Sequence, residues 1–150
     1  MTATRARAKI DAAREAQRYF FEIGMHERQR AAAALAELDL TFPQAHMLRL
    51  LEPGRPLPMS ALAERLVCDA SNVTGLADRL EARGLVVRQP AERDRRVKAV
   101  AITPAGAALR KRVLHVMTKP PAAIAALPRE DQETLRDILA RAVENLPTSP

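Results

Sequence analysis

Between Asn72 and Thr103 the chain changes its hydrophobic period twice, and few small folds accept that order. In "NVTGLADRLEARG", Val73, Leu76, Ala77 and Leu80 fall at i, i+3, i+4 and i+7, the stripe of an amphipathic helix. Gly84 stands where a left-handed residue is wanted to end it. "LVVRQ" (85–89) and "VKAVAI" (97–102) then read as two strands, β-branched and partly alternating. "PAERDRR" between them is the tip of a hairpin, with six charged residues among the seven from Glu92 to Lys98. Thr103 and Pro104 supply an N-cap and a first-turn proline for another helix.

The residues upstream add two more short helices. "LTFPQAHMLRLLEPG" starts with Pro43 in its first turn, lines up Ala45, Leu48 and Leu51 on one face, and ends at "EPG" (52–54). "RPLPM" is extended by its two prolines and fits a short edge strand. Ser60 can cap "ALAERLV", whose Leu62, Ala63 and Leu66 face inward, and Asp69 or Ser71 can cap the helix after it. Two short helices this close in sequence make a helix-turn-helix. An ordinary helical hairpin fits them as well, until the strand pair that follows turns the order into a winged helix.

The flanks read as helix throughout. From Ala6 to Leu38 there is no proline, and a helix of some thirty residues is too long for a small globule to cover, so it is expected to pack on another subunit. After Pro120-Pro121, "REDQETLRDILARAVENL" sets Leu135, Ile138, Leu139, Ala142 and Leu146 on one stripe. The fold class expected is mainly α with a small β-wing. It forms a single domain in which a winged helix-turn-helix lobe (41–103) lies between helical arms (1–40 and 104–150).

Composition narrows the function. Net charge is +6, and residues 41–112 hold thirteen Lys/Arg against seven Asp/Glu, so the excess sits in the middle of the chain. A localised basic patch fits a polyanion partner, although a merely solvated basic surface has the same composition. With 3% aromatics and no Trp, stacking on single-stranded nucleic acid has little material. The charged start lacks the apolar stretch of a signal peptide, and no run approaches the roughly 18 apolar residues of a membrane span. A soluble cytoplasmic protein without membrane contact is expected. Cys68 is the single cysteine, which excludes an intramolecular disulfide and a multi-cysteine metal site. There is no Gly-rich phosphate loop, Ser/His/Asp arrangement or metal motif, and His26, His46 and His115 show no paired spacing. Neither an enzyme nor a cofactor is expected.

The order of elements resembles the MarR family of bacterial transcriptional regulators over nearly the whole chain. Its most specific mark is Asp-x-Arg, five residues, then Leu-Thr. This chain reads Asp94-Arg95-Arg96, five residues, then Ile102-Thr103, and "LADRLEARGLVVRQ" matches the run from recognition helix into wing. The resemblance implies a homodimer with interleaved terminal helices, acting on double-stranded DNA at a roughly palindromic operator, most simply as a ligand-responsive repressor. It also implies a recognition helix in the major groove and Arg96 in the minor groove, where arginine reads shape.

On the helix face opposite the apolar stripe stand Ser71, Asn72, Thr74, Gly75, Asp78 and Arg79. Asn72 can read adenine, Thr74 can touch a thymine methyl, and Arg79 can reach guanine or phosphate. Gly75 lets the backbone approach the groove, while Asp78 accepts from cytosine or holds Arg79. At the wing, Asp94 fixes Arg96 by a charge-assisted hydrogen bond, and Arg93 and Arg95 meet phosphates. Arg88 and Lys98, on the two strands, are further candidates.

The family often binds aromatic or phenolic anions, and Phe20 and His46 are candidates to line such a crevice. Cys68 lies between the two DNA-binding helices, away from the family's redox cysteines near the N-terminal helices, so a plain buried thiol is expected. Two alternatives stay open: a thiol-based redox regulator, and a winged helix used only for protein contact. The second predicts a wing without arginines, whereas three fall within residues 93–96.

Overall fold

The computed structural model of the chain describes residues 2–91, 94 and 96–147, with side chains from residue 11 onward. It divides into two units, residues 28–119 and residues 1–27 with 120–150. A 35-residue helix, α1 (Thr2–Ala36), contributes to both.

The central unit continues through α2 (Phe42–Leu50), β1 (Leu57–Pro58), α3 (Met59–Leu66), α4 (Ala70–Ala82), β2 (Val86–Pro90), β3 (Lys98–Ile102) and α5 (Pro104–Thr118). The strands form one antiparallel sheet in the order β1-β3-β2. β2 and β3 pair in register from Val86 opposite Ile102 to Pro90 opposite Lys98. Pro58 lies on the outer strand, where a missing N–H does not break the ladder. Leu35, Met47, Leu48, Leu51, Leu62, Val73, Leu80, Val86, Val100 and Val113 are fully buried and hold these elements together.

Local chemistry starts and stops the elements. Thr41 opens α2 with a reciprocal cap: its hydroxyl accepts from the Gln44 N–H, and the Gln44 side chain accepts from the Thr41 N–H at 2.9 Å. Gly84 ends α4 at φ +68°, with the Gly84 N–H donating to Glu81 and the Leu85 N–H to Leu80. Thr103 closes the hairpin on α5. Its N–H donates to the Leu85 carbonyl (3.1 Å), and its hydroxyl donates to the Gly84 carbonyl (2.7 Å) and accepts from the Gly106 N–H (3.0 Å). Gly106 allows this approach, since a Cβ there would lie 2.0 Å from the Leu85 oxygen.

The capping expected of Ser60 and Ser71 is corrected. Pro58 occupies the N-cap of α3, so Ser60 falls inside the first turn and no side chain caps that helix. Asp69 takes the N-cap of α4 by its backbone, without a side-chain bond, and Ser71 lies within the helix. The end of α3 repeats the hydrogen bonding of Gly84 with a different residue. Val67 sits at φ 51° and ψ 51°, 90% exposed, with Cys68 N–H bonded to Ala63. A β-branched residue in the left-handed region is strained by about 1–2 kcal/mol.

The second unit contains the start of α1, α6 (Ala122–Ala125) and α7 (Arg129–Glu144). None of its described side chains is buried: Phe20 is 71% exposed and Ile138 48%. Leu146, expected on the α7 stripe, lies past the helix end. Among the described residues, no helix is long and apolar enough to cross a membrane.

Candidate nucleic-acid interface

α4 turns its two faces to different environments. Val73, Leu76, Ala77 and Leu80 are buried against the core, while Ser71, Asn72, Thr74, Asp78 and Arg79 are exposed and Gly75 is half-buried. The Thr74 hydroxyl donates to the Ala70 carbonyl at 2.9 Å, which leaves its methyl as the free group. Nothing lies within 4 Å of a Cβ built on Gly75, so the helix surface is open at that point.

Asp78 does not hold Arg79 as expected. Its carboxylate pairs with the Arg88 guanidinium at 2.6 Å, because β2 runs beside the C-terminal half of α4. Arg88 also donates from Nη1 to Glu81 (3.0 Å), from Nη2 to the Thr74 carbonyl (3.0 Å), and from its backbone N–H to Glu81 (2.9 Å). Arg88, a candidate for DNA contact by sequence, is therefore engaged with its own protein. Glu81 was no candidate. Only its spacing from Thr74 and Asp78 hints at a shared helix stripe, and the cation that uses the stripe comes from another element.

The wing is shaped at its tip by one acid. The Asp94 carboxylate accepts the backbone N–H of Arg96 at 2.9 Å, and the Asp94 carbonyl accepts from the Val97 N–H at 3.0 Å. The expected charge-assisted bond from Asp94 to Arg96 is made to the backbone amide, since an aspartate reaches the amide two residues on with no long side chain to order. Arg96 and Lys98 are exposed. Arg93 and Arg95 lie outside the described residues.

A helix-turn-helix, an arginine-tipped hairpin and the pattern 94–103 now stand together, and the MarR family profile matches residues 40–98. By that stretch the chain is similar to the MarR family. It is 43% identical over 67 residues to an uncharacterised helix-turn-helix transcriptional regulator, YfiV, of Bacillus subtilis. That match covers 45% of this chain and 42% of the relative, less than half of that relative's length. The organic hydroperoxide resistance transcriptional regulator of the same species is 29% identical, over 69% of this chain and 68% of its own. A solved probable transcriptional regulator from Pseudomonas aeruginosa is 34% identical with a TM-score of 0.61, covering 80% of this chain and 93% of that one.

In the same lobe the start of α2 and the exposed face of α4 enclose a cleft of about 720 Å³. Phe42, Pro43, His46, Leu66 and Cys68 line it together with Ser71, Asn72 and Arg79. Burial, and then the neighbouring Arg49 cation, lower the His46 pKa, so its neutral ring can accept from Arg49 at 2.8 Å. The aromatic ring beside His46 is Phe42, at 6.3 Å between centroids. Phe20, the other expected lining residue, belongs to the other unit. Cys68 is half-buried rather than buried. His26 and His115 stand exposed on α1 and α5.

Proposed function

We propose that this protein is a sequence-specific double-stranded DNA-binding repressor, acting in the cytoplasm as a homodimer on a palindromic operator. The observation that carries this reading is the division of α4, with four buried apolar residues behind an exposed row of Asn72, Thr74 and Arg79. Such a row fits the major groove, and the exposed Arg96 on the wing fits the adjacent minor groove. Arg93 and Arg95 meet phosphate. The absence of buried side chains in the described parts of 11–27 and 120–147 supports burial of those arms against a second copy. Two-fold pairing then reads half-sites about one helical turn apart.

The protein acts by occupancy, without catalysis or cofactor. Its effector is an aromatic or phenolic anion, with Phe42 and His46 offering ring contacts and Arg79 a cation in the same cleft. Because Ser71, Asn72 and Arg79 also belong to the reading face, a ligand there and DNA exclude each other.

The test is fluorescence anisotropy with the duplex upstream of the protein's own coding sequence, titrated across salt. Arg96→Ala weakens binding and lowers the log–log salt slope by about 1.8, one released counterion (about 0.9) for each of the dimer's two wing arginines. Salt-insensitive binding, or an unchanged slope in the variant, sinks the assignment.

A further inference from the structure

We infer that Asp78, Glu81 and Arg88 form a latch that sets the wing against the recognition helix, making Glu81 and Arg88 positioning residues for DNA readout. The inference rests on the two-groove reading above. Thr74, Asp78 and Glu81 are spaced i, i+4 and i+7 along α4, so their acceptors form one stripe over two helical turns. Arg88 meets all three from the middle of β2, where it stands opposite Val100. Among the described residues, the ion pairs between α4 and the sheet all run through this one guanidinium.

A hairpin held only at its base can pivot. Thr103 holds the base, through the Gly84 and Leu85 carbonyls. Further up, β1 holds β3 at Ala99 and Val100, and Arg88 at the same height ties β2 to α4, so the hairpin is fixed against the recognition helix itself. The planar fork of arginine suits this role, because its donors leave in fixed directions. The pairs are partly exposed, with Asp78 58% and Arg88 24% accessible at the side chain, so their contribution to stability is small. Their geometric consequence is larger: the distance from the reading face of α4 to Arg96 is held constant, as simultaneous contact with both grooves requires.

Charge gives the latch a test with an opposite sign from simple electrostatics. Asp78→Asn and Glu81→Gln each remove a negative charge from a surface meant to meet a polyanion, and charge alone predicts tighter binding. A latch predicts the reverse, about tenfold weaker binding, from the loss of a coupled contact. Arg88→Lys keeps the charge but loses the fork, and also weakens binding. If Arg88 instead met phosphate directly, Arg88→Lys would bind nearly as the parent does.

The same anisotropy assay, run on the full chain, then closes a double-mutant cycle with Arg96→Ala. On that background Asp78→Asn and Glu81→Gln should each cost no more than about twofold, because the wing contact they position is already gone. Tighter or unchanged binding by the two neutralised variants overturns the latch, as does strict additivity with Arg96→Ala. Thermal melting by circular dichroism confirms that the mild Asp78→Asn variant is folded, so weaker binding is read as positioning. Should Arg96→Ala leave wild-type binding unaltered, the two-groove reading itself fails and takes the latch with it.

Discussion

α4 and α7 carry the same kind of apolar stripe and meet opposite fates. In α4 every member of the stripe is buried, Val73, Ala77 and Leu80 completely. In α7, Leu135 is half-buried, while Ile138 and Leu139 are 48% and 40% exposed. Periodicity thus states which face of a helix can be buried, and the surroundings decide whether it is. Around α4 the chain supplies α2, α3 and the sheet, whereas for α7 it supplies no buried partner among the described residues. Helical stability in proteins comes mainly from such packing, and among the described residues it is supplied to α4 and not to α7.

Substitutions on the two stripes should separate them. Leu80→Ala, in the packed unit, is expected to lower the unfolding free energy by about 3 kcal/mol in a urea titration. Leu139→Asp should instead raise the protein concentration at which the proposed dimer forms, followed by analytical ultracentrifugation. If that variant sediments as wild type at every concentration, the contrast between packed and unpartnered stripes is broken.

Gly106→Ala probes how tightly the packed unit closes on the wing. Its new Cβ would fall on the Leu85 backbone oxygen, which has no flexible end to move aside. We expect a loss of about 2 kcal/mol in the same titration. An alanine tolerated without loss would mean that α5 and the hairpin base are not in firm contact. The smallest effect has the opposite sign. Val67→Gly keeps the hydrogen bonds of the left-handed turn, removes an exposed strained side chain, and should stabilise the protein by about 0.5–1 kcal/mol after glycine's entropy is counted. A drop in melting temperature on that change would show that Val67 is not strained where it stands.

What could be read in the sequence followed the range over which each determinant acts. The Pro43, Gly84 and Thr103 signals concern residues two to four positions apart and appear in the structure as helix ends. Val73, Leu76, Ala77 and Leu80 are buried as their spacing requires. Ser60 was misplaced because a neighbouring proline took its position, a competition between adjacent signals that period alone does not resolve. Asp78 was misassigned for a different reason. Its nearest cation in sequence is Arg79, while its nearest in space is Arg88, brought there by the turn at Gly84. Phe42 was passed over beside His46 because a residue in a helix's first turn carries no periodic mark of the cleft it will line.

The sequence by itself therefore determined the order of elements, the ends marked by Pro43, Gly84 and Thr103, the apolar face of α4 and the MarR resemblance, since each depends on covalent neighbours and local backbone preference. The tertiary structure alone decided the partners of Arg88, the close approach at Gly106 and the cleft beside the reading face. Those depend on which side chains meet after the hairpin folds back across the helix, and a charged or small residue carries no local sign of a partner seven or more positions away.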